Sequence, residues 1–108
     1  MIFFNFMKTP VMLNDGSVFP SNGETLELRI NSHNVIRKTN SLITFFEEDF
    51  NIRGLPEKRF GTYYIVPNEI RMMAKLSGRK DFVSPALNHP DVVKDKEGNV
   101  ISVPGFVR

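Results

Sequence analysis

The chain has 108 residues, of which 41% are hydrophobic and ten are phenylalanine, so its size and composition predict one folded domain with a real core. It contains no cysteine, which excludes disulfide bonds, thiolate metal sites and a cysteine nucleophile and favours an intracellular protein. The net charge of +2 is too small for a dedicated nucleic-acid binder, so we expect no nucleic-acid partner.

The first third of the chain predicts short strands joined by tight turns. Residues 1–7 are apolar but fall far short of the ~20 residues that a membrane helix needs, and they lack the basic residues and the cleavage site of a signal peptide. They predict a first strand, and we expect no membrane association. Asp15 and Gly16 lie between the apolar residues 11–13 and 18–19 and predict a hairpin, because they readily adopt the positive φ angles of a tight turn.

The middle of the chain predicts further short strands. Residues 26–30 alternate between apolar and charged side chains, and residues 35–37 and 41–46 are rich in β-branched and aromatic side chains. Between them, Ser32-His33-Asn34 predicts a turn that exposes His33. Residues 47–56, which include Gly54 and Pro56, predict a turn-bearing connection.

The next segment predicts a strand followed by a helix. Residues 62–66 have the strongest strand character in the chain, and a helix is expected over residues 68–77. Asn68 is the expected N-cap, the buried face repeats at i, i+3 and i+4 from Ile70, and Gly78 is expected to end the helix.

The last segment predicts another hairpin, because residues 95–99 form a turn between the valine-rich residues 91–94 and 100–103. Together these elements predict an α+β fold, a mostly antiparallel β meander or small barrel with one short helix, in which residues 1–108 form a single domain. A domain this small is only marginally stable alone, so we expect a homo-oligomer.

A series of short motifs occupies the second half: Gly54-Leu55-Pro56, Gly61-Thr62-Tyr63-Tyr64-Ile65-Val66, Arg79-Lys80-Asp81, Pro85 and Asp95-Lys96-Glu97-Gly98. In this order they resemble a family of small uncharacterised proteins from bacteriophages, prophages and bacteria. The family pattern is Gly-Leu-Pro, Gly-x-x-Tyr-Ile-Val-Ser, Arg-x-Asp, Pro and Asp-x-x-Gly, and the chain departs from it at Pro67-Asn68, where the family has Ser. The resemblance implies a phage or prophage protein that acts in the cytoplasm of a bacterial host cell, and it implies no agreed activity.

The leading candidates for a binding site are Arg79 and Asp81, which lie just beyond the predicted helix. Two residues apart on an extended segment, their side chains can face the same side. An arginine fork suits phosphate or carboxylate, and a neighbouring aspartate can accept hydrogen bonds from a ribose or a base. The alternative is a structural brace, in which Arg79 caps the last carbonyl groups of the helix and Asp81 accepts backbone amides.

Four further residues are candidates for the same site: Arg59, Arg71, Tyr63 and Phe82. The arginines would attract an anionic ligand, and the aromatic rings would stack on a base. Tyr63 and Tyr64 fall on opposite faces of their strand, so at most one belongs to the core. Core packing is the competing explanation for most of the aromatic residues.

No catalytic or metal-binding motif is present. His33 and His89 are far apart and lack ligand spacing, and the acidic residues 47–49 lack the spacing and the glycine of a calcium loop. There is no glycine-rich phosphate loop, no serine elbow and no His-Glu-x-x-His motif. The sequence therefore predicts a protein that is not an enzyme and has no metal site and no cofactor.

Three hypotheses about function follow. The first is a non-enzymatic binder of a small anionic ligand, such as a cyclic nucleotide, which sequesters a nucleotide-type immune signal of the host and so acts against host defence. The alternative is a protein-interaction module that inhibits a host enzyme, or a phage accessory or structural protein, with residues 1–7 as an exposed edge. Nucleic-acid binding by a small barrel is disfavoured by the weak net charge.

Overall fold

The computed structural model describes the backbone of residues 1–38 and 44–108, and the side chains of residues 1–26, 44, 52 and 54–108. In this part of the chain it contains ten strands and one helix. In chain order they are β1 (Ile2–Asn5), β2 (Val11–Met12), β3 (Val18–Phe19), β4 (Glu27–Lys38), β5 (Thr44–Arg53), β6 (Thr62–Ile65), α1 (Asn68–Leu76), β7 (Phe82–Pro85), β8 (Val93–Lys94), β9 (Val100–Ser102) and β10 (Phe106–Val107).

The centre of the fold is a four-stranded mixed sheet in the order β1-β6-β7-β10. β6 pairs in parallel with both β1 and β7, and β10 pairs antiparallel with β7. The helix α1 makes the crossover that two parallel strands require. The other six strands form three antiparallel pairs, β2–β3, β4–β5 and β8–β9.

The predicted α+β class, with mostly antiparallel pairing and one short helix, is therefore confirmed. The strands that the structure describes do not close into a barrel. The two parallel pairings at the centre of the sheet were not predicted, because they join segments that are distant in sequence or separated by the helix.

Both faces of this sheet are covered. The first face packs against α1 and its buried cluster consists of Phe6, Leu26, Tyr64, Val66, Ile70, Ala74 and Phe82. The second face packs against the hairpins and contains the buried residues Val11, Ile65, Val83 and Val103. Neighbouring residues of β6 therefore enter different clusters, as the alternation of side chains along a strand requires. Tyr64 is buried on the helix side, whereas Tyr63 packs against the second cluster, which confirms that the two lie on opposite faces.

The helix lies where the sequence predicted it, but its N-cap is Pro67 and not Asn68. Pro67 has the extended conformation of a cap, with φ −60° and ψ 156°, so Asn68 is already helical. No side chain caps the first turn, and the prediction that Asn68 does so is wrong. The other end agrees with the prediction, because Gly78 has a φ of 87°.

β4 and β5 form a long two-stranded ribbon, and here two turn predictions are wrong. His33 lies within β4, opposite Glu48, and residues 47–53 belong to β5. Register shifts after Ile30 and after Val35 accommodate the polar segment as irregularities of a strand rather than as a turn. β5 ends at Arg53, and the predicted turn is confined to Gly54, the next residue, where φ is 82°. Of the predicted strand 41–46, residues 41–43 lie outside the described residues.

The predicted hairpins at the two ends of the chain are confirmed. β2 pairs with β3 across Asp15-Gly16, and β8 pairs with β9 across residues 95–99. In the second turn, the Asp95 carboxylate accepts the backbone N–H groups of Glu97 and Asn99, each at 2.9 Å. Such a carboxylate replaces missing backbone acceptors in a tight turn.

Candidate functional site

The C-terminal end of α1 determines where Arg79 and Lys80 lie. The N–H of Gly78 donates to the carbonyl of Lys75 at 3.0 Å, and the N–H of Arg79 donates to the carbonyl of Ala74 at 2.9 Å. This pair of bonds is the Schellman arrangement, which requires a left-handed residue after the helix. It satisfies the carbonyl groups at the helix end and turns the chain towards β7.

Arg79 and Asp81 form a bidentate ion pair. Arg79 Nε donates to Asp81 Oδ1 at 2.9 Å, and Arg79 Nη2 donates to Asp81 Oδ2 at 2.8 Å. The same Nη2 also donates to the Pro56 carbonyl at 2.9 Å. The guanidinium carbon lies 4.8 Å from the centre of the Phe82 ring, within the range of a cation–π contact. The side chain of Arg79 is 18% exposed and that of Asp81 only 6%.

This pairing keeps the Asp81 carboxyl ionised although it is buried. Burial by itself raises the pKa of Asp81, but hydrogen bonds from Arg79 and from the backbone N–H of Asp81, together with the charges of Arg79 and Lys58, outweigh it. The net result is an Asp81 pKa below its usual value. The hydrogen bond to Asp81 correspondingly raises the pKa of Arg79, against the effect of burial.

The pair also holds a distant segment of chain in place. Arg79 binds the carbonyl of Pro56, and the Tyr64 hydroxyl donates to the carbonyl of Glu57 at 2.8 Å. Two neighbouring carbonyl groups of the connection before β6 are thus fixed to the sheet. This is a brace, but its bonds differ from the predicted ones, because the Arg79 side chain binds Asp81 and Pro56 and not the last helix carbonyls. Whether Arg79 also contacts a ligand stays a prediction.

A basic cleft adjoins this brace. It has a volume of about 470 Å³, and its lining residues are Lys75, Gly78, Arg79, Lys80, Phe82 and Arg108. Four of these six carry a positive charge, and none carries a negative charge. Lys75, Lys80 and Arg108 are exposed, so their charges face solvent at the mouth of the cleft. We refer to this cavity below as the basic cleft.

The structure brings some of the predicted site residues together and separates others. Arg79, Asp81 and Phe82 are in mutual contact, although Phe82 is 2% exposed and lies beneath Arg79, which leaves it no open face for a base. Arg71 is near the basic cleft, because its Nη1 donates to the Arg108 carbonyl at 3.0 Å. Arg59 lines another cavity of about 340 Å³, beside Tyr64 and Pro56.

Tyr63 does not belong to this site. It lies on the opposite face of the sheet, where its ring stacks on Phe3 at 5.4 Å between centroids. The sequence could not predict this placement, since the second face acquires its cover from the hairpins near both ends of the chain.

Three contributors to the basic cleft were not among the predicted site residues: Lys75, Lys80 and Arg108. The first of these was detectable, because Arg71 and Lys75 are four residues apart and so share one side of the predicted helix. Arg108 was not detectable. It reaches the cleft only because β10 pairs with β7, which places Phe106 opposite Pro85.

Comparisons with known proteins give no relative, because no protein-family model, no curated protein and no solved structure matches this chain. Within residues 1–38 and 44–108, no helix has both the length and the apolar character that crossing a bilayer requires. Among the side chains that the structure describes, no three of His, Asp or Glu lie close enough together to hold a metal ion.

Proposed function

We propose that this protein is a non-enzymatic binder of a small anionic ligand and that the basic cleft is its binding site. The observation that carries the proposal is the composition of the cleft, a cavity of about 470 Å³. Four of its six lining residues are cationic; Asp81 pairs with one of them, Arg79, and the other three are exposed. Cavities that bind small molecules typically measure ~300–1,000 Å³. Sequestration requires only fixed donors and a matching charge, and no catalytic group.

The helix end does not oppose an anion at this position. A helix C-terminus ordinarily disfavours negative charge, because its free carbonyl groups carry partial negative charge. Here the carbonyls of Met73, Ala74 and Lys75 accept hydrogen bonds from the turn that follows. Lys75 and Lys80 then supply positive charge at the same place, so an anion meets cations before it meets carbonyl dipoles.

We propose that Arg79 borders the ligand while Asp81 keeps its guanidinium in place. One edge of the fork is occupied by Asp81 and Pro56, which fixes the side chain in one orientation. A donor that is already ordered loses little entropy on binding. Asp81 therefore acts through Arg79, and the exposed charges are those of Lys75, Lys80 and Arg108.

The ligand class that we propose is a nucleotide, and the biological role is sequestration of a nucleotide-type immune signal by a phage or prophage protein in the cytoplasm of a bacterial host. The phosphate groups of a nucleotide suit the cations of the cleft, and the role rests on the motif resemblance described above. Assembly into a homo-oligomer belongs to the same proposal, since a domain of this size gains stability from association.

A thermal-shift screen against linear and cyclic nucleotides tests the proposal. At a hundred times its Kd, a ligand stabilises the native state by about 2.7 kcal/mol, which a small domain shows as a rise in Tm of several degrees. The double variant Lys75→Gln/Lys80→Gln should lose this rise. Arg79→Ala is a poorer test, because it also releases Pro56.

The matched control is Lys94→Gln/Lys96→Gln, which removes the same charge from exposed positions of the β8–β9 hairpin. This control should bind as the original protein does. If no nucleotide raises the Tm, or if both double variants lose the shift equally, the basic cleft is not a specific site.

One observation favours the alternative of a protein-interaction module. β1 is an edge strand of the central sheet, and exposed apolar side chains surround it: Met1, Ile2 and the fully exposed Phe60. An edge with apolar neighbours is suited to pairing with another chain. In that case Phe60→Ser should abolish capture of a host protein from lysate and leave nucleotide binding unchanged.

A further inference from the structure

A second cavity lies at the opposite end of α1. It measures about 280 Å³ and forms where the start of the helix approaches the chain after β7. Its lining residues are Asn68, Arg71, Pro85, Ala86, Leu87, Asn88, His89 and Val107. We call it the N-terminal cavity. Arg71 gives it a positive charge, His89 adds an imidazole, and no acidic residue is among its lining residues.

Arg71 contributes a donor that has no partner. Its Nη1 donates to the Arg108 carbonyl at 3.0 Å, and its Nη2 lies 3.5 Å from Asn68 Oδ1. Its Nε is buried and has no hydrogen-bond partner among the described residues. A buried N–H without a partner is costly, so an acceptor that reached Nε would stabilise Arg71 in this position.

Two more donors lie in or next to this cavity. The Asp91 backbone N–H donates to His89 Nδ1 at 3.0 Å, which places the proton of a neutral imidazole on Nε2. No side chain caps the first turn of α1, whose N–H groups have no acceptor within the helix. The nearby acidic groups are Glu69 in that turn and Asp91, whose carboxylate lies 3.9 Å from His89.

The two cavities are linked by one hydrogen bond. Arg108 lines the basic cleft, its carbonyl accepts from Arg71, and Arg71 lines the N-terminal cavity. Arg71 and Lys75 are four residues apart and so lie on the same side of the helix. The nine helical residues from Asn68 to Leu76 span about 13 Å. The positive charges therefore form a track along α1 that has a cavity at each end.

We infer that the N-terminal cavity is a second anion subsite and that the ligand carries two separated phosphate groups, one for each cavity. This inference rests on the proposed function, because it assigns the first group to the basic cleft. The guanidinium of Arg71 and the imidazole N–H of His89 are suited to phosphate oxygens. A nucleotide with phosphate at both ends fits this arrangement, and one with a single phosphate fills only one cavity.

Calorimetric titration with inorganic pyrophosphate and with linear hexaphosphate tests the inference. The short probe fills one cavity, whereas the long one reaches both. In Arg71→Gln/His89→Gln, hexaphosphate affinity should fall about tenfold. Pyrophosphate affinity should fall less, because it responds only to the loss of the bond from Arg71 to the Arg108 carbonyl. In Lys75→Gln/Lys80→Gln, the affinity for both probes should fall, because both occupy the basic cleft.

The single variant His89→Gln serves as a second test in case the loss of Arg71 disturbs the fold, because His89 is exposed on a turn. This variant should weaken hexaphosphate binding selectively, by about threefold. Two outcomes would overturn the second subsite but not the proposal for the basic cleft. One is that these variants weaken the binding of both probes equally, and the other is that neither Arg71→Gln/His89→Gln nor His89→Gln changes hexaphosphate affinity. Failure of both probes to bind the original protein would contradict the proposed function itself.

Discussion

Arg79 links the candidate site to the fold. It joins the end of α1, the start of β7 and the connection at Pro56 through one guanidinium group. A lysine has a single ammonium group and cannot reproduce a planar fork. These contacts therefore require the planar guanidinium group of arginine, and a positive charge alone does not reproduce them.

We expect Arg79→Lys to lower the free energy of unfolding by about 2 kcal/mol, because it leaves part of the Asp81 carboxylate and the Pro56 carbonyl without donors. Chemical denaturation measures this change. Lys80→Ala is the control, since Lys80 is exposed and adjacent, and it should unfold as the original protein does. Equal stability of Arg79→Lys and the original protein would mean that the pair contributes nothing to the fold.

The ionised state of Asp81 predicts a dependence of stability on pH. Its pKa is lower in the folded protein than in the unfolded chain, so its stabilising contribution is complete above the unfolded value of about 4. That contribution is lost as the pH falls through the lower folded value. The difference in unfolding free energy between the original protein and Asp81→Asn should therefore be constant near neutral pH and shrink below pH ~4.

Other carboxyl groups with lowered pKa values do not affect the difference in unfolding free energy between the original protein and Asp81→Asn. The pKa of Asp15 is lowered by the backbone N–H of Ser17, and that of Asp95 by the backbone N–H of Asn99. Both groups are present in the two proteins, so their effects cancel in the difference. A difference that stays constant down to the acid transition would show that Asp81 is not preferentially ionised in the fold.

At the scale of the element, the end of α1 is the feature that shapes the basic cleft. Gly78 has a φ of 87° but no atom lies within 4 Å of the place where a Cβ would stand. Gly78→Ala should therefore cost about 1 kcal/mol through backbone strain alone. Thermal or chemical unfolding measures the cost.

Gly105→Ala is the matched control for this change. It also has open space around the added Cβ, and its φ does not lie in the left-handed region. It should leave stability unchanged or raise it slightly, because alanine restricts the unfolded chain. Equal losses at the two positions would contradict a conformational cause at Gly78.

The sequence predicted elements well where local chemistry decides them. Asp15-Gly16, residues 95–99 and Gly78 each adopt the predicted turn, because glycine and aspartate meet a requirement set by the immediate backbone. It failed within β4 and β5, where acidic and amide residues have low intrinsic strand propensity. There the pairing with the opposite strand supplies the backbone hydrogen bonds and overrides that propensity.

The candidate site was predictable only in part, for a reason that belongs to the whole molecule. Arg79, Asp81 and Phe82 are close in sequence, so the chain itself brings them together. Arg108 joins them through the pairing of β10 with β7, and Tyr63 leaves them because the second face of the sheet is covered. Both placements depend on contacts between residues that are far apart in the sequence, so no local pattern predicts them.

We expect the outer part of the β4–β5 ribbon to contribute neither to the stability of the central sheet nor to binding at the cavities along α1. At its base, Leu26 and Ile52 pack in the cluster beneath α1, whereas the described lining residues of the two cavities along α1 all belong to other parts of the chain. Replacing residues 31–49 with an Asn-Gly turn would join Ile30 to Phe50, which already face each other. The shortened protein should unfold cooperatively and bind pyrophosphate within about twofold of the original affinity.

Leu26→Ala in the full chain is the contrasting variant, because it removes a buried side chain at the ribbon base and should cost about 3 kcal/mol. Loss of cooperative unfolding in the shortened protein would show that the distal ribbon supports the rest of the fold. A large change in pyrophosphate affinity would show that the ribbon supports the cleft.

The parallel pairing of β1 with β6 sets the order in which this protein is able to fold during its synthesis. Ile2 pairs with Thr62, sixty positions later in the chain. At ~5–20 residues per second, β1 leaves the ribosome about 3–12 s before its partner exists. The apolar side chains of β1 therefore lack their partner strand during that time, and the sheet closes only when β6 has been made. Lengthening the ribbon would add little to the entropy of that closure, which grows only with the logarithm of loop length.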